Sequence, residues 1–335
     1  MTTASKHFDL VVIGSGPAGQ KGAIAAAKLG KRVAVIDRKD MIGGVCLHTG
    51  TIPSKTLREA ILYLTGFRQR AFYGQDYTLK ADISVEDLES RVTTVVGRET
   101  AIIREQLRRN GAETFNGSAK FRDPHTIEIE GGSGADVLQA DYVLIACGTR
   151  PARAADMPFD GKAVMDADQL GHVEKLPREM IVVGAGVIGL EYASMLTALD
   201  IEVTVVDQRP TMLDFVDQEI IEALSYHMRR RGAVFRLGEK VTRVEIDPTG
   251  IVRANLESGK RIHAQGLLYA VGRQANTDTL NLEASGVTAD KRGKITVSEF
   301  FQTEVPHIYA AGDCIGFPAL ASTSMEQGRV AAHHM

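Results

Sequence analysis

Apolar and polar positions follow two different periods along this chain. The runs Phe8 to Ile13 and Ile181 to Val183 are almost wholly apolar, and each leads into a glycine-rich turn. A helix-period stretch of small and apolar residues follows each turn, and then a second apolar run, Arg32 to Asp37 and Val203 to Asp207. Short apolar runs bounded by glycine read as strands of a buried parallel sheet. Between the two copies, 57–72 and 85–110 have helical periodicity. Leu57, Ile61 and Leu64 mark the apolar side of the first, and Val96, Ile103 and Leu107 that of the second. Strand-like runs are predicted near 113–121 and 126–130 and from Tyr142 to Ala146. Arg153 to Pro158 reads as a connector, 217–231 as a helix, and 241–270 as a set of strands broken at Asp247–Gly250. The run Arg229, Arg230, Arg231 reads as a solvated helix end.

The two strand–turn–helix–strand segments are copies of one pattern. Gly14, Gly16 and Gly19 form a G-x-G-x-x-G, and Gly184, Gly186 and Gly189 form another 170 residues later. Asp207 likewise stands 170 residues after Asp37, so the register holds without a gap. The spacing has a physical cause: the first glycine permits a tight turn, the second lets backbone approach a pyrophosphate, and the third lets helix pack on strand. The helix N-terminus then offers free N–H groups and a positive dipole end to phosphates. The acid closing the second strand accepts hydrogen bonds from a ribose 2′-OH. Two such fingerprints predict two bound dinucleotides, one natural pairing being a flavin that stays and a nicotinamide that exchanges. Asp207 favours a 2′-OH over a 2′-phosphate. Arg209, two residues on, is either a contact to such a phosphate, which would let one site serve NAD(H) and NADP(H), or a solvated arginine.

Composition narrows the class without naming a reaction. At 335 residues the chain is about two domains long. Lys and Arg number 39 against 42 Asp and Glu, a net charge of −3, so there is no basic field for nucleic acid. No apolar run reaches the length of about 18 that a membrane span needs. The first residues pass directly into a strand-like run, without the plan of a signal peptide. Three cysteines cannot build a disulfide framework, and a reducing cytoplasm is the expected compartment. No metal site is expected.

The segment Gly43, Gly44, Cys46, Thr51, Pro53, Lys55 resembles the flavoprotein disulfide reductases, the group containing lipoamide dehydrogenase, glutathione reductase and mercuric reductase. Thr303 to Asp313 resembles that family's second flavin motif, and Ala270 to Arg273 the segment returning to the flavin domain. The resemblance implies an α/β fold of two Rossmann-like dinucleotide-binding domains, glutathione-reductase-like, the second inserted into the first. The FAD domain would be 1–153 plus 280–335 and the NAD(P) domain 154–279. It implies FAD contacts from Gly14, Gly16, Gly19, Asp37, Gly44, Thr51, Lys55, Gly312, Asp313 and Ala321. NAD(P) contacts would come from Gly184, Gly186, Val187, Ile188, Gly189, Glu191, Asp207, Arg209 and Gly272. It further implies that Lys55 lies near the flavin N5 and pairs with Glu191, and that Cys46 faces the flavin, with a packing role ahead of a chemical one.

The departure is at Thr51. Disulfide-reducing members carry C-x4-C, which would place a second cysteine there, and without it there is no dithiol to pass electrons by thiol exchange. Cys147 and Cys314 lie in other motifs and read as small buried hydrophobes. With a single cysteine, this segment is similar to the soluble, FAD-containing pyridine nucleotide transhydrogenase branch. So are Thr56 to Ala60, Met212 to Asp217, Ser225 to His227 and Phe317 to Ala321. That resemblance implies cytosolic hydride exchange between NADPH and NAD+, ping-pong through flavin N5 with no redox disulfide. The alternatives are a lipoamide-dehydrogenase-like disulfide reductase, a single-cysteine NADH oxidase, and a non-catalytic nucleotide-binding fragment. Family members continue into an interface domain that forms a homodimer and carries a His–Glu pair. Nothing here matches it, and His333 and His334 are not read as that pair.

Overall fold

The computed structural model describes residues 6–38, 41–74, 76–80, 82–131, 136–172 and 175–335. It divides into two compact units. The first comprises Met1–Pro53, Val95–Arg150 and Arg273–Met335, the second Ser54–Thr94 and Pro151–Gly272. Among the described residues no helix is long and apolar enough to cross a membrane.

In the first unit the Lys6–Ile13 strand lies between Val33–Asp37 and Asp136–Ile145, parallel to both. Glu113–Asn116 extends the sheet beyond Val33–Asp37, and Ile308–Ala310 also pairs in parallel with Asp136–Ile145. Thr126–Glu130 and Ser118–Asp123 complete it as antiparallel strands. The strand residues alternate between two buried faces. Leu10, Val12, Val33, Val35 and Leu144 join one core, while Val11, Ile13, Ala34, Ile36 and Val143 join the other. Burial on both faces is what the unbroken apolar runs anticipated. Because neighbours on both sides are parallel, the carboxyl end of Lys6–Ile13 opens into the crevice where ligands bind in such sheets.

Two helices on one face, Pro17–Lys28 and Ala321–His334, approach closely through glycine. A Cβ at Gly328 would stand 2.1 Å from the Ala18 carbonyl oxygen, and one at Gly22 would stand 3.0 Å from that of Gly328. This contact ties the second flavin-like motif to the first glycine turn.

The second unit repeats the plan. Its five parallel strands run in the order Val234–Leu237, Glu202–Asp207, Glu179–Val183, Gly266–Tyr269, Val164–Asp166. A three-stranded antiparallel sheet, Val241–Ile246, Val252–Leu256 and Arg261–Ala264, makes up most of the stretch 241–270 read as a set of strands, with Gly250 (φ 85°) in the first turn. Asp217 caps the Gln218–Arg229 helix by accepting from the Glu219 N–H at 2.9 Å.

Some expectations change in the structure. The helical pattern of 57–72 is two helices, Thr51–Leu64 and Arg70–Tyr73, because Gly66 turns to φ 62° between them. Residues 54–94 cluster with the second unit, whereas the sequence boundaries at 153 and 280 kept them with the first. Ala60, Ile61 and Leu88 pack in one core with Met165 and Leu196. Residues 273–279 cluster with the first unit, where Ala275 is buried and Asn276 donates to the Cys147 carbonyl. The arginine run is not merely solvated. Arg231 lies 4.1 Å over the Phe67 ring, Arg229 over Phe235 and Arg230 over Tyr226.

Gly328→Val is expected to destabilise the first unit by about 1–3 kcal/mol, since backbone rather than a mobile side chain opposes the new Cβ. The measurement is the urea midpoint, with an unchanged midpoint showing that the helices separate freely.

Candidate functional site

The two glycine turns have nearly superimposable local geometry. Gly14 (φ 101°) and Gly184 (φ 108°) adopt the left-handed conformation at the ends of their strands. A Cβ would meet the Ala146 carbonyl oxygen at 2.3 Å in the first and that of Ala270 at 2.6 Å in the second. Gly19 and Gly189 press against the preceding turn: their Cβ atoms would lie 1.8 and 1.9 Å from the carbonyl oxygens of Gly14 and Gly184. Gly16 and Gly186, the N-caps of Pro17–Lys28 and Val187–Ala198, have open space where a Cβ would point. Each turn is thus filled on the inside and empty on the outside, a shape that fits a pyrophosphate at the helix N-terminus. At the second turn Val187 is exposed, while Ile188 packs toward the core.

The equivalent acids differ in their partners. Asp37 accepts from the Ser15 N–H at 2.6 Å, the Ser15 hydroxyl at 2.5 Å and the Arg38 N–H at 2.8 Å. Ser15 Oγ in turn accepts from the Gly43 N–H at 3.0 Å, and a Cβ on Gly44 (φ 65°) would touch Gly16 Cα at 2.9 Å. The Gly43–Gly44 turn is therefore seated against the first cradle. Burial pushes the Asp37 carboxyl above its ordinary range, against the pull of the Ser15 and Arg38 hydrogen bonds. In the second copy Ala185 replaces Ser15 and offers only its N–H, at 2.6 Å, to Asp207. The missing hydroxyl is answered by Arg209, whose Nε and Nη2 donate to the two Asp207 oxygens at 3.1 and 2.8 Å. Burial acts to raise the Asp207 carboxyl, but the Arg209 guanidinium and the N–H groups of Arg209 and Ala185 outweigh it and hold it below the usual carboxylate range.

Lys55 Nζ donates to Glu191 Oε1, joining the Thr51–Leu64 helix to Val187–Ala198 within the second unit. Lys55 is more than half exposed and Glu191 only a fifth. Gly272 (φ 82°) accepts the Ala152 N–H at 3.1 Å where the chain leaves that unit.

A third group lies in the first unit. Cys46, in the short Gly44–His48 helix, is held above the ordinary thiol value by burial. A hydrogen bond from Thr51 opposes that rise, and the Asp313 carboxylate adds to it. Gly312 (φ 84°) donates its N–H to the buried Gln327 side chain at 2.8 Å, and Thr149 donates to Asp313 at 3.4 Å. Arg273 fixes Thr149 from the far side, donating to its hydroxyl at 2.7 Å and its carbonyl at 2.9 Å. Ala321 opens the Ala321–His334 helix. Cys147 and Cys314, which lie in separate motifs and read as small buried hydrophobes, are neighbours, Cys314 buried and Cys147 partly so. Their contact, and then burial, push the Cys147 thiol well up, which leaves it unreactive in exchange.

Sequence reasoning missed Ser15, Thr149 and Gln327, and named Arg273 only as part of the segment returning to the flavin domain. Ser15 had a legible signal, a hydroxyl in the variable position of the first glycine motif where the second has alanine. Thr149, Gln327 and the bonds from Arg273 to Thr149 are set by tertiary contacts.

Residues 8–328 match the family described as pyridine nucleotide-disulphide oxidoreductase. Over 331 residues the chain is 53% identical to a soluble pyridine nucleotide transhydrogenase of Mycobacterium bovis, covering 98% of this chain and 70% of that protein. A protein of the same description from Enterobacter sp. is 41% identical over 329 residues, with the same coverage. Among solved structures, LpdA from Mycobacterium tuberculosis matches with a TM-score of 0.89 at 30% identity, covering 98% of this chain and 72% of its own. An HOCl-induced flavoprotein disulfide reductase from Escherichia coli matches with a TM-score of 0.85 at 25% identity, covering 98% and 71%. With the parallel sheets and paired glycine turns, these likenesses show an α/β fold with two Rossmann-like dinucleotide-binding domains.

The two acids are expected to titrate in opposite directions. Asp207, with its lowered value, adds stability above its unfolded-state value, which is lost as pH falls through its folded value. Asp37, with its raised value, costs the folded state stability as pH rises from the unfolded-state value through the folded one. In a carboxyl-carbon NMR titration Arg209→Ala should move Asp207 upward and leave Asp37 in place. A stationary Asp207 would assign its low value to the backbone N–H groups alone.

Proposed function

The chain belongs to the pyridine nucleotide-disulphide oxidoreductase family, and on that premise we propose that it is a FAD-dependent transhydrogenase moving hydride between NADPH and NAD+. The observation that carries this reading is the pairing of Cys46 with Thr51. Where a dithiol would need a second sulfur, a hydroxyl donates to the lone thiol, and burial keeps that thiol protonated. A protonated thiol without a partner is a poor relay for electrons. Bound FAD supplies the acceptor and donor of hydride, so that two nicotinamide nucleotides can be served in turn.

The chain's residues then bind and orient. Gly14, Gly16 and Gly19 seat the FAD pyrophosphate at the Pro17–Lys28 N-terminus, Asp37 takes the adenosine ribose, and Asp313 takes the ribityl chain. Gly44, Thr51 and Ala321 line the same cofactor. Gly184, Gly186 and Gly189 seat the nicotinamide nucleotide at the Val187–Ala198 N-terminus beside Val187 and Ile188, with Gly272 across the turn. Asp207 receives a ribose 2′-OH. Lys55 brings a positive charge to the reacting end of the cofactor, and Glu191 fixes its Nζ. Arg209 neutralises Asp207 and still exposes part of its guanidinium, so a 2′-phosphate meets a cation rather than a bare carboxylate. The cytoplasm and a homo-oligomeric assembly complete the proposal.

The test is an anaerobic visible titration of the flavin-loaded protein. NADPH should bleach the flavin band and NAD+ should restore it, with no long-wavelength thiolate–flavin band. Appearance of that band, with turnover of lipoamide, would replace this reading by disulfide reduction. In steady-state kinetics Arg209→Ala should raise the KM for NADPH about tenfold, the loss of one charge-assisted contact, and change that for NADH far less. Equal effects on both would remove Arg209 from phosphate recognition.

A further inference from the structure

The helix whose N-terminus forms the first cradle runs, at its other end, into a cavity of about 430 Å3. Three helices of the first unit line it: Pro17–Lys28, the last turn of Val85–Arg109, and Ala321–His334. Lys21, Lys28, Arg109 and Arg329 surround it, with Ile24 and Leu29 as its apolar surface. Arg329 pairs with Glu326 at 2.9 Å. Among the described residues Lys21, Lys28 and Arg109 have no ion pair or hydrogen bond through their charged ends. Glu105, whose carboxylate feels Arg109, is already held by Arg108 through two bonds of 2.8 Å. Burial, then Arg329 and then Lys28, draw the Lys21 ammonium below its ordinary value, so these cations are near enough to repel.

Cations at helix C-termini ordinarily answer the helix dipole, and that accounts for Lys28 and Arg109, which stand in last turns. It does not account for Lys21, in the second turn of its helix. The C-terminal ends of Pro17–Lys28 and Val85–Arg109 supply together about −1 charge, half a charge each, which offsets only part of three unpaired cations. A positive concavity remains, and its volume falls in the range of about 300–1,000 Å3 typical of small-ligand sites. A phosphate monoester carries about −1.5 to −2 charges, which matches that residue of charge better than a single carboxylate does.

We propose that this cavity binds a small phosphorylated ligand, its phosphoryl group held by Lys21, Lys28 and Arg109 and its apolar part lying on Ile24 and Leu29. The mode differs from the pyrophosphate seats of both glycine turns, which offer backbone N–H groups at a helix N-terminus. Phenyl phosphate, with a phosphoryl group and an apolar ring, is the probe. It is titrated calorimetrically into the flavin-loaded protein with excess NAD+ present to occupy the second cradle. One equivalent should bind, more tightly than inorganic phosphate. The double variant Lys21→Gln/Arg109→Gln should weaken binding by about tenfold or more while circular dichroism and flavin content stay unchanged. Lys291→Gln, elsewhere on the surface, should have no effect. Absence of binding up to about 10 mM, weaker than ordinary small-ligand affinities, overturns the proposal, as does equal affinity in the double variant.

Discussion

The close approach of one helix to the strand that precedes it sets the terms for everything else in each unit. At Gly19 and again at Gly189 a side chain of even one carbon would lie within 2 Å of a carbonyl oxygen. That contact draws the first turn of the helix down over the end of the strand and aims its free N–H groups into the crevice between parallel neighbours. The left-handed turn at Gly14 or Gly184 is needed for the same geometry, because the carbonyl of Ala146 or Ala270 occupies the place of a Cβ. The phosphate cradle is therefore a packing requirement of the fold before it is a binding site.

On that common frame the two copies diverge in electrostatics. Asp37 is wrapped by hydroxyl and backbone donors and tied, through Ser15, to the Gly43–Gly44 turn. Asp207 is instead bridged by a side chain, Arg209, whose outer part reaches solvent. The two acids thus differ in whether hydroxyl and backbone donors or a guanidinium completes their hydrogen bonding. The alanine at 185 is what makes the difference, since it removes the hydroxyl that would otherwise satisfy the acid.

The cysteines divide by environment in a comparable way. Cys46 is held in its protonated form by burial and by the Asp313 carboxylate, against the pull of the Thr51 hydroxyl. Cys147 and Cys314 have each other beside the Gly312–Asp313 turn, Cys314 in the core and Cys147 packed against it, and their contact favours the uncharged form of Cys147. The contact between these two residues, 167 positions apart, was invisible in their separate motifs.

What the chain declares by itself is local and periodic. The paired glycine fingerprints, the acids that end their second strands and the two-faced apolar runs follow from hydrogen-bonding geometry and from the steric freedom of glycine. These act over a few residues and so leave a mark in the order of residues. The helix at 85–109 was legible for the same reason, through Val96, Ile103 and Leu107. Tertiary structure decided which unit each stretch serves: Leu88 joins one core and Leu107 another, although one helix carries both. It also brought Thr149 to Asp313 and Arg273 to Thr149, and Lys21, Lys28 and Arg109 to one cavity. Such contacts depend on where distant elements pack, and packing is set by the shape of whole surfaces rather than by any spacing along the chain.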